Sequence, residues 1–130
     1  MEEMRRVFPS GYVVSEQRPI SLLDESEPEP DVAVIKGKIR DFETGLPTTA
    51  VLIIEVSDTT LRLDRTRKAR LYARAGIQEY WIVNIKQREL EVRRVATTEG
   101  YAETFVRTEG EFVAPLEAPK AKIKIVDLLP

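Results

Sequence analysis

Asp31 and Glu55 are the two residues of this chain whose neighbourhoods most need explaining. Asp31 opens the run Asp31-Val32-Ala33-Val34-Ile35, and Glu55 lies inside Leu52-Ile53-Ile54-Glu55-Val56-Ser57. Short aliphatic, β-branched runs of this kind read as strands buried on both faces of a sheet. An unpaired carboxylate is costly there, because taking a charge out of water is unfavourable. Two such strands side by side would bring both acids to one end of the sheet. Held together, they make a hard, oxygen-rich site for a divalent cation, and the chemistry on offer is metal-assisted.

Composition narrows the remaining possibilities. The chain has 130 residues and neither cysteine nor histidine. That removes disulfides, thiolate nucleophiles, imidazole bases and the common zinc and iron ligand sets. Any catalysis here uses carboxylates, lysine, hydroxyls or a metal held through oxygen. The length suits one domain with one core, and we read residues 1–130 as a single domain. Hydrophobic content of 42%, charged content of 32% and a mean hydropathy of −0.27 are those of an ordinary globular protein. A net charge of −2 provides no global attraction for nucleic acid, so contact with DNA would rest on a local patch. No apolar run approaches the ~20 residues that a membrane span needs. The start, Met1-Glu2-Glu3-Met4-Arg5-Arg6, lacks the apolar stretch of a signal peptide, and a cytoplasmic location is the expectation.

The elements that must position the acids follow from pattern. Residues 1–11 read as a mobile start closed by the turn Pro9-Ser10-Gly11. Residues 12–15 and 20–23 are short apolar pieces, and 24–30 is an acidic, proline-bearing connector. After the strand at 31–35, residues 36–49 read as a long loop. Residues 50–56 form the strongest strand, and Ser57-Asp58-Thr59-Thr60 offers N-cap residues for a helix over 60–75, stopped by Gly76. Residues 79–85 form a strand, 86–88 a turn and 89–95 its hairpin partner. Residues 101–107 alternate as a further strand, and 122–126 have a lysine–isoleucine edge-strand pattern. This order predicts a mixed α/β (α+β) sheet with one main helix on a face and C-terminal hairpins.

Projected at about 100° per residue, the helix carries Leu61, Leu71, Tyr72 and Ala75 on one arc, with Asp64 and Lys68 inside it. Arg62, Arg67, Arg70 and Arg74 point elsewhere. Lys68 has two readings: an i, i+4 ion pair with Asp64 at the margin of the apolar stripe, or a lysine whose stem lies along the core while its ammonium reaches the acids. The arginine face either solvates the helix or contacts nucleic acid.

The segments Pro28-Glu29-Pro30-Asp31-Val32-Ala33-Val34 and Ile53-Ile54-Glu55-Val56-Ser57-Asp58-Thr59-Thr60-Leu61 now fall into a known order. With Asp64, Lys68, Leu71-Tyr72-Ala73-Arg74-Ala75-Gly76-Ile77 and Glu79-Tyr80-Trp81-Ile82-Val83, they resemble the Uma family of putative restriction endonucleases, within the PD-(D/E)XK nuclease superfamily. The resemblance covers roughly residues 18–128. It implies a restriction-endonuclease-like core in which Asp31, Glu55 and the backbone carbonyl of Val56 hold Mg²⁺, with Mn²⁺ as the alternative ion. The implied activity is Mg²⁺-dependent hydrolysis of DNA phosphodiester bonds. The superfamily's lysine stands two residues after the second acid, where this chain has Ser57. The resemblance implies that Lys68 replaces it from the helix, with Ser57, Asp64 and Tyr72 in support. Ser57 would hydrogen-bond a water at the metal or cap the helix. Family members carry a longer N-terminal portion whose helix often adds an acid; Glu2, Glu3 and Glu16 are available here, in no recognisable motif. A sheet short of strands at that edge implies a homodimer. The competing functional reading is a nuclease-like module without catalysis, kept for dimerisation or for binding nucleic acid. Whether Asp31 and Glu55 meet decides whether a metal site is available.

Overall fold

The computed structural model describes residues 1–22 and 26–130. Six strands form one mixed sheet in chain order: β1 (Tyr12–Glu16), β2 (Val32–Lys36), β3 (Leu52–Ser57), β4 (Glu79–Asn84), β5 (Glu89–Thr97) and β6 (Gly100–Thr108). All neighbours are antiparallel except β3 and β4, which are parallel. The exception has a simple cause: parallel neighbours need a crossover, and the main helix supplies it. The expected mixed sheet with one main helix and C-terminal hairpins is the architecture the chain adopts.

The crossover is one continuous helical element in three parts: α2 (Leu61–Leu63), a π-helical turn (Asp64–Lys68) and α3 (Ala69–Arg74). It stops where Gly76 predicts. Gly76 takes φ +79°, its N–H donates to the Ala73 carbonyl at 2.9 Å, and the Ile77 N–H donates to the Tyr72 carbonyl at 3.0 Å. These two bonds satisfy the last carbonyls of the helix, and buried Ile77 closes the turn against the core.

Alternation along β3 divides its residues between two cores. Leu52 and Ile54 join Trp81 and Val83 on one face, which α1 (Glu2–Val7) and the C-terminal segment cover through Met4, Phe8, Ile123, Ile125 and Leu128. Ile53 joins Tyr80 and Ile82 on the other, covered by Ala69 and Tyr72 of the crossover together with Ile20 and Leu22. With a period of two, Glu55 and Ser57 fall on the crossover face.

Several local expectations differ from the structure. Residues 1–11 contain α1 in place of a mobile start: Met4 is fully buried, and the Met1 amino group and Arg5 reach Glu16 at 2.6 and 2.8 Å. Met4 and Phe8, four apart, form the apolar stripe, too short to register as periodicity. A helix and a strand therefore do precede Pro30-Asp31. The 36–49 loop contains a 3₁₀ turn, Ile39–Phe42. In the 122–126 segment only β8 (Ile123–Lys124) pairs, with β7 (Phe112–Val113), as a separate two-stranded sheet. Its alternation serves burial, because Ile123 and Ile125 both enter the core. The expected 20–23 piece and 24–30 connector fall partly on residues 23–25, which lie outside the described residues; Ile20 and Leu22 are buried, and the Ile20 N–H donates to the Pro28 carbonyl at 3.0 Å.

Candidate active site

The register of β2 with β3 ends at Val32 opposite Ile54. Beyond that point side chains replace the ladder. The Val56 N–H donates to Asp31 Oδ2 at 2.7 Å, and the Asp31 N–H donates to Glu55 Oε1 at 3.0 Å. Each acid is thus fastened by a backbone N–H to the other's strand, and both lie at one end of the sheet. A strand residue sends its C=O to the same side as its N–H, so the Val56 carbonyl faces the Asp31 side as well.

The crossover brings three more groups. Lys68 Nζ lies 3.3 Å from Glu55 Oε2 and 3.1 Å from Asp64 Oδ1, so the ammonium pairs with both the strand acid and the helix acid. The Tyr72 hydroxyl donates to Glu55 Oε2 at 2.8 Å. The Thr60 hydroxyl donates to Asp64 Oδ2 at 2.9 Å, and Asp64 is only 1% exposed. A π turn departs from the usual i→i−4 bonding and is frequent at functional sites; here the Tyr80 hydroxyl donates to the Asp64 carbonyl at 2.9 Å from the neighbouring strand. The turn carrying Asp64 and Lys68 is therefore tied down on the β3 and β4 side.

Electrostatics give these groups different characters. Burial pushes the Glu55 carboxyl above the ordinary carboxylate range; the Asp31 N–H, the Lys68 charge and the Tyr72 hydroxyl oppose this, and the Asp31 charge adds to it. Burial works to lower the Lys68 ammonium, but Glu55 and Asp64 outweigh it and hold it above its usual value. The Tyr72 phenol is pushed up by burial and by Glu55, so it remains a neutral donor. Ser57 does not cap the helix: it ends β3, it is 1% exposed, and its hydroxyl has no hydrogen-bond partner among the described residues. Asn84, its register partner on β4, likewise has an unpartnered Nδ2.

Among the described residues no group of three or more acids converges in a way that would hold a metal. The donor set that the resemblance implies is two carboxylates and a carbonyl. That fits Mg²⁺, which keeps several waters and commonly takes one or two protein carboxylates, and it does not fit an all-protein cage.

One neighbour of the site has no counterpart in the sequence reading. Arg65, inside the π turn, places Nε and Nη2 on Glu91 of β5 at 2.9 and 2.5 Å, and Arg93 adds a third contact at 2.9 Å. The two partners are 26 residues apart, and the signal available was an acid amid the inward-facing residues of β5. Arg62, Arg67, Arg70 and Arg74 are all exposed, and none has an ion-pair partner among the described residues. None of them forms a hydrogen bond or ion pair with Asp31 or Glu55.

A family model named Uma2 and described as "Putative restriction endonuclease" matches residues 3–125. The fold is similar to a crystal structure described as a putative nuclease belonging to DUF820 from Anabaena variabilis. The TM-score is 0.67 at 18% identity, over 91% of this chain and 68% of that one. A search among curated proteins finds no match. No helix among the described residues is long and apolar enough to cross a membrane.

Proposed function

Because this chain belongs to the Uma2 family, matched over nearly its whole length, we propose that it is a metal-dependent endonuclease hydrolysing DNA phosphodiester bonds. The observation that carries this reading is the interlock of Asp31 and Glu55 with the Lys68 ammonium 3.3 Å from Glu55. The family's description as restriction endonucleases and the similar fold of a protein described as a nuclease support the reaction class. Mg²⁺ or Mn²⁺ would be held by Asp31, Glu55 and the Val56 carbonyl, and when bound it would supply an activated water and a countercharge for the departing oxygen. The chain's own groups do the rest. Lys68 presents a permanent positive charge, set by Asp64, toward the phosphate oxygen on which charge develops. Tyr72 holds Glu55 Oε2 in one orientation, and the Ser57 hydroxyl has a free donor for a water. Glu55→Ala is expected to abolish Mg²⁺- or Mn²⁺-dependent plasmid nicking. Cleavage that survives in this variant, or a wild type that never cleaves with either ion, would overturn the reading.

A further inference from the structure

We infer that the DNA backbone crosses the molecule over a rim formed by the β4–β5 turn and the start of the crossover, with Lys86 and Arg62 as its phosphate contacts, and not along the arginine face as a whole. The inference rests on the nuclease reading and assigns that site its approach surface.

The sheet register places the turn. Ser57 is opposite Asn84, and the Ile85 N–H donates to the Ser57 carbonyl at 3.0 Å, so β3 and β4 end together at the acids' end of the sheet. Lys86 follows immediately, one strand spacing of about 5 Å to the side of β3. The turn is well built. Asn84 Oδ1 accepts from the Gln87 N–H at 3.1 Å, the Arg88 N–H donates to the Ile85 carbonyl at 3.2 Å, and Arg88 takes φ +52°. The charge of Arg88 is committed to Glu109 at 2.7 Å. Lys86 is exposed and has no ion-pair partner among the described residues.

Topology divides the arginines. The crossover leaves the end of β3 and returns to the start of β4, so it runs antiparallel to both strands. Its first residues lie at the acids' end and its last at the opposite end. Arg62 belongs to the first group. Arg70 and Arg74 lie farther along the axis from Arg62 by roughly 12 and 18 Å, at about 1.5 Å per residue, and Arg70, between the Glu55 partners Lys68 and Tyr72, is exposed on the helix face away from the sheet. On the other flank, beside Asp31, whose carbonyl accepts from the Gln17 N–H at 3.1 Å, the exposed residues Arg18 and Glu29 carry opposite charges, so that side offers no net cation. Two buried polar atoms without a partner, Ser57 Oγ and Asn84 Nδ2, belong to the residues that end these two strands, where a polar ligand would arrive.

The test is binding of a short fluorescent DNA duplex, read by anisotropy over a range of salt, with Ca²⁺ present in place of Mg²⁺. Lys86→Ala and Arg62→Ala are each expected to weaken binding by about threefold to tenfold and to lower the salt slope by about 1. Arg70→Ala and Arg74→Ala are expected to change affinity by less than about twofold. An unaffected Lys86→Ala protein, equal losses at Arg74 and Lys86, or a wild type that binds no DNA would overturn the rim. Binding through Lys86 and Arg62 by a protein that never cleaves with Mg²⁺ or Mn²⁺ would keep the rim and remove only the nuclease reading.

Discussion

Glu55 on β3 and Glu91 on β5 stand in one row across the sheet, both paired with Ile82 of β4. They are 2% and 3% exposed and lie under the same helical element. Their carboxyls are nevertheless displaced in opposite directions. Burial works to raise Glu91, but Arg65 and Arg93 outweigh it and hold it below the ordinary carboxylate range. At Glu55 burial prevails, because one ammonium at 3.3 Å, a neutral phenol and one amide face it, with Asp31 adding like charge. Glu79, buried on the opposite face, accepts from Trp81, Arg94 and the Leu116 N–H. Of these three buried glutamates, the fold gives Glu79 and Glu91 arginine partners and leaves Glu55 with one ammonium. Burial alone does not mark a functional acid; an incomplete set of partners does.

The largest effect expected from this contrast is in stability. Removing one partner of a buried ion pair commonly costs about 3–5 kcal/mol. Arg65 is 43% exposed and can turn to water, so Glu91→Ala is expected to cost about 2–3 kcal/mol. Glu55→Gln, which relieves an under-compensated charge, should change stability by less than about 1 kcal/mol. Urea unfolding followed by circular dichroism measures both, and equal losses would break the distinction.

A smaller effect separates the two acids by pH. The Glu91 carboxyl is lowered by folding, so its contribution is present above the unfolded value, about 4.3, and is lost as pH falls through the folded one. The stability gap between wild type and Glu91→Gln should therefore shrink on acidification below about pH 4. The Glu55 carboxyl is raised by folding, so the fold favours its proton, and its cost appears as pH rises through the raised value. Relative to wild type, Glu55→Gln should gain stability as pH increases. Denaturation midpoints measured across the acid range that move in the same direction for both variants would contradict this.

The smallest change sharpens the Glu55 side alone. Tyr72→Phe removes one neutral donor from Oε2, at a cost of about 1 kcal/mol. Since that bond favours the carboxylate, its loss should move the Glu55 titration upward, as read from side-chain carbon shifts. A downward movement would mean that Tyr72 does not support the charged form.

Much of the molecule is legible in its sequence. The apolar runs at 31–35, 50–56 and 79–85 announce strands, Gly76 announces the end of the crossover, and period-two alternation assigns Glu55 to one face. Helical periodicity alone puts Asp64, Lys68 and Tyr72 on one arc. The short helix carrying Met4 and Phe8 escapes this kind of reading, because two residues four apart are no pattern.

These are properties of residues within about four positions of one another, where propensity, capping and periodicity act. That β2 stops pairing at Val32, so that Asp31 and Val56 join by side chain instead, was decided by tertiary structure alone. The same is true of the clasp between Arg65 and Glu91, and of the π turn that Tyr80 secures from another strand. Each of these depends on which distant segments the folded sheet brings into register. Local sequence determines faces and ends; long-range packing determines partners, and the partners decide which buried acid retains an unmet charge.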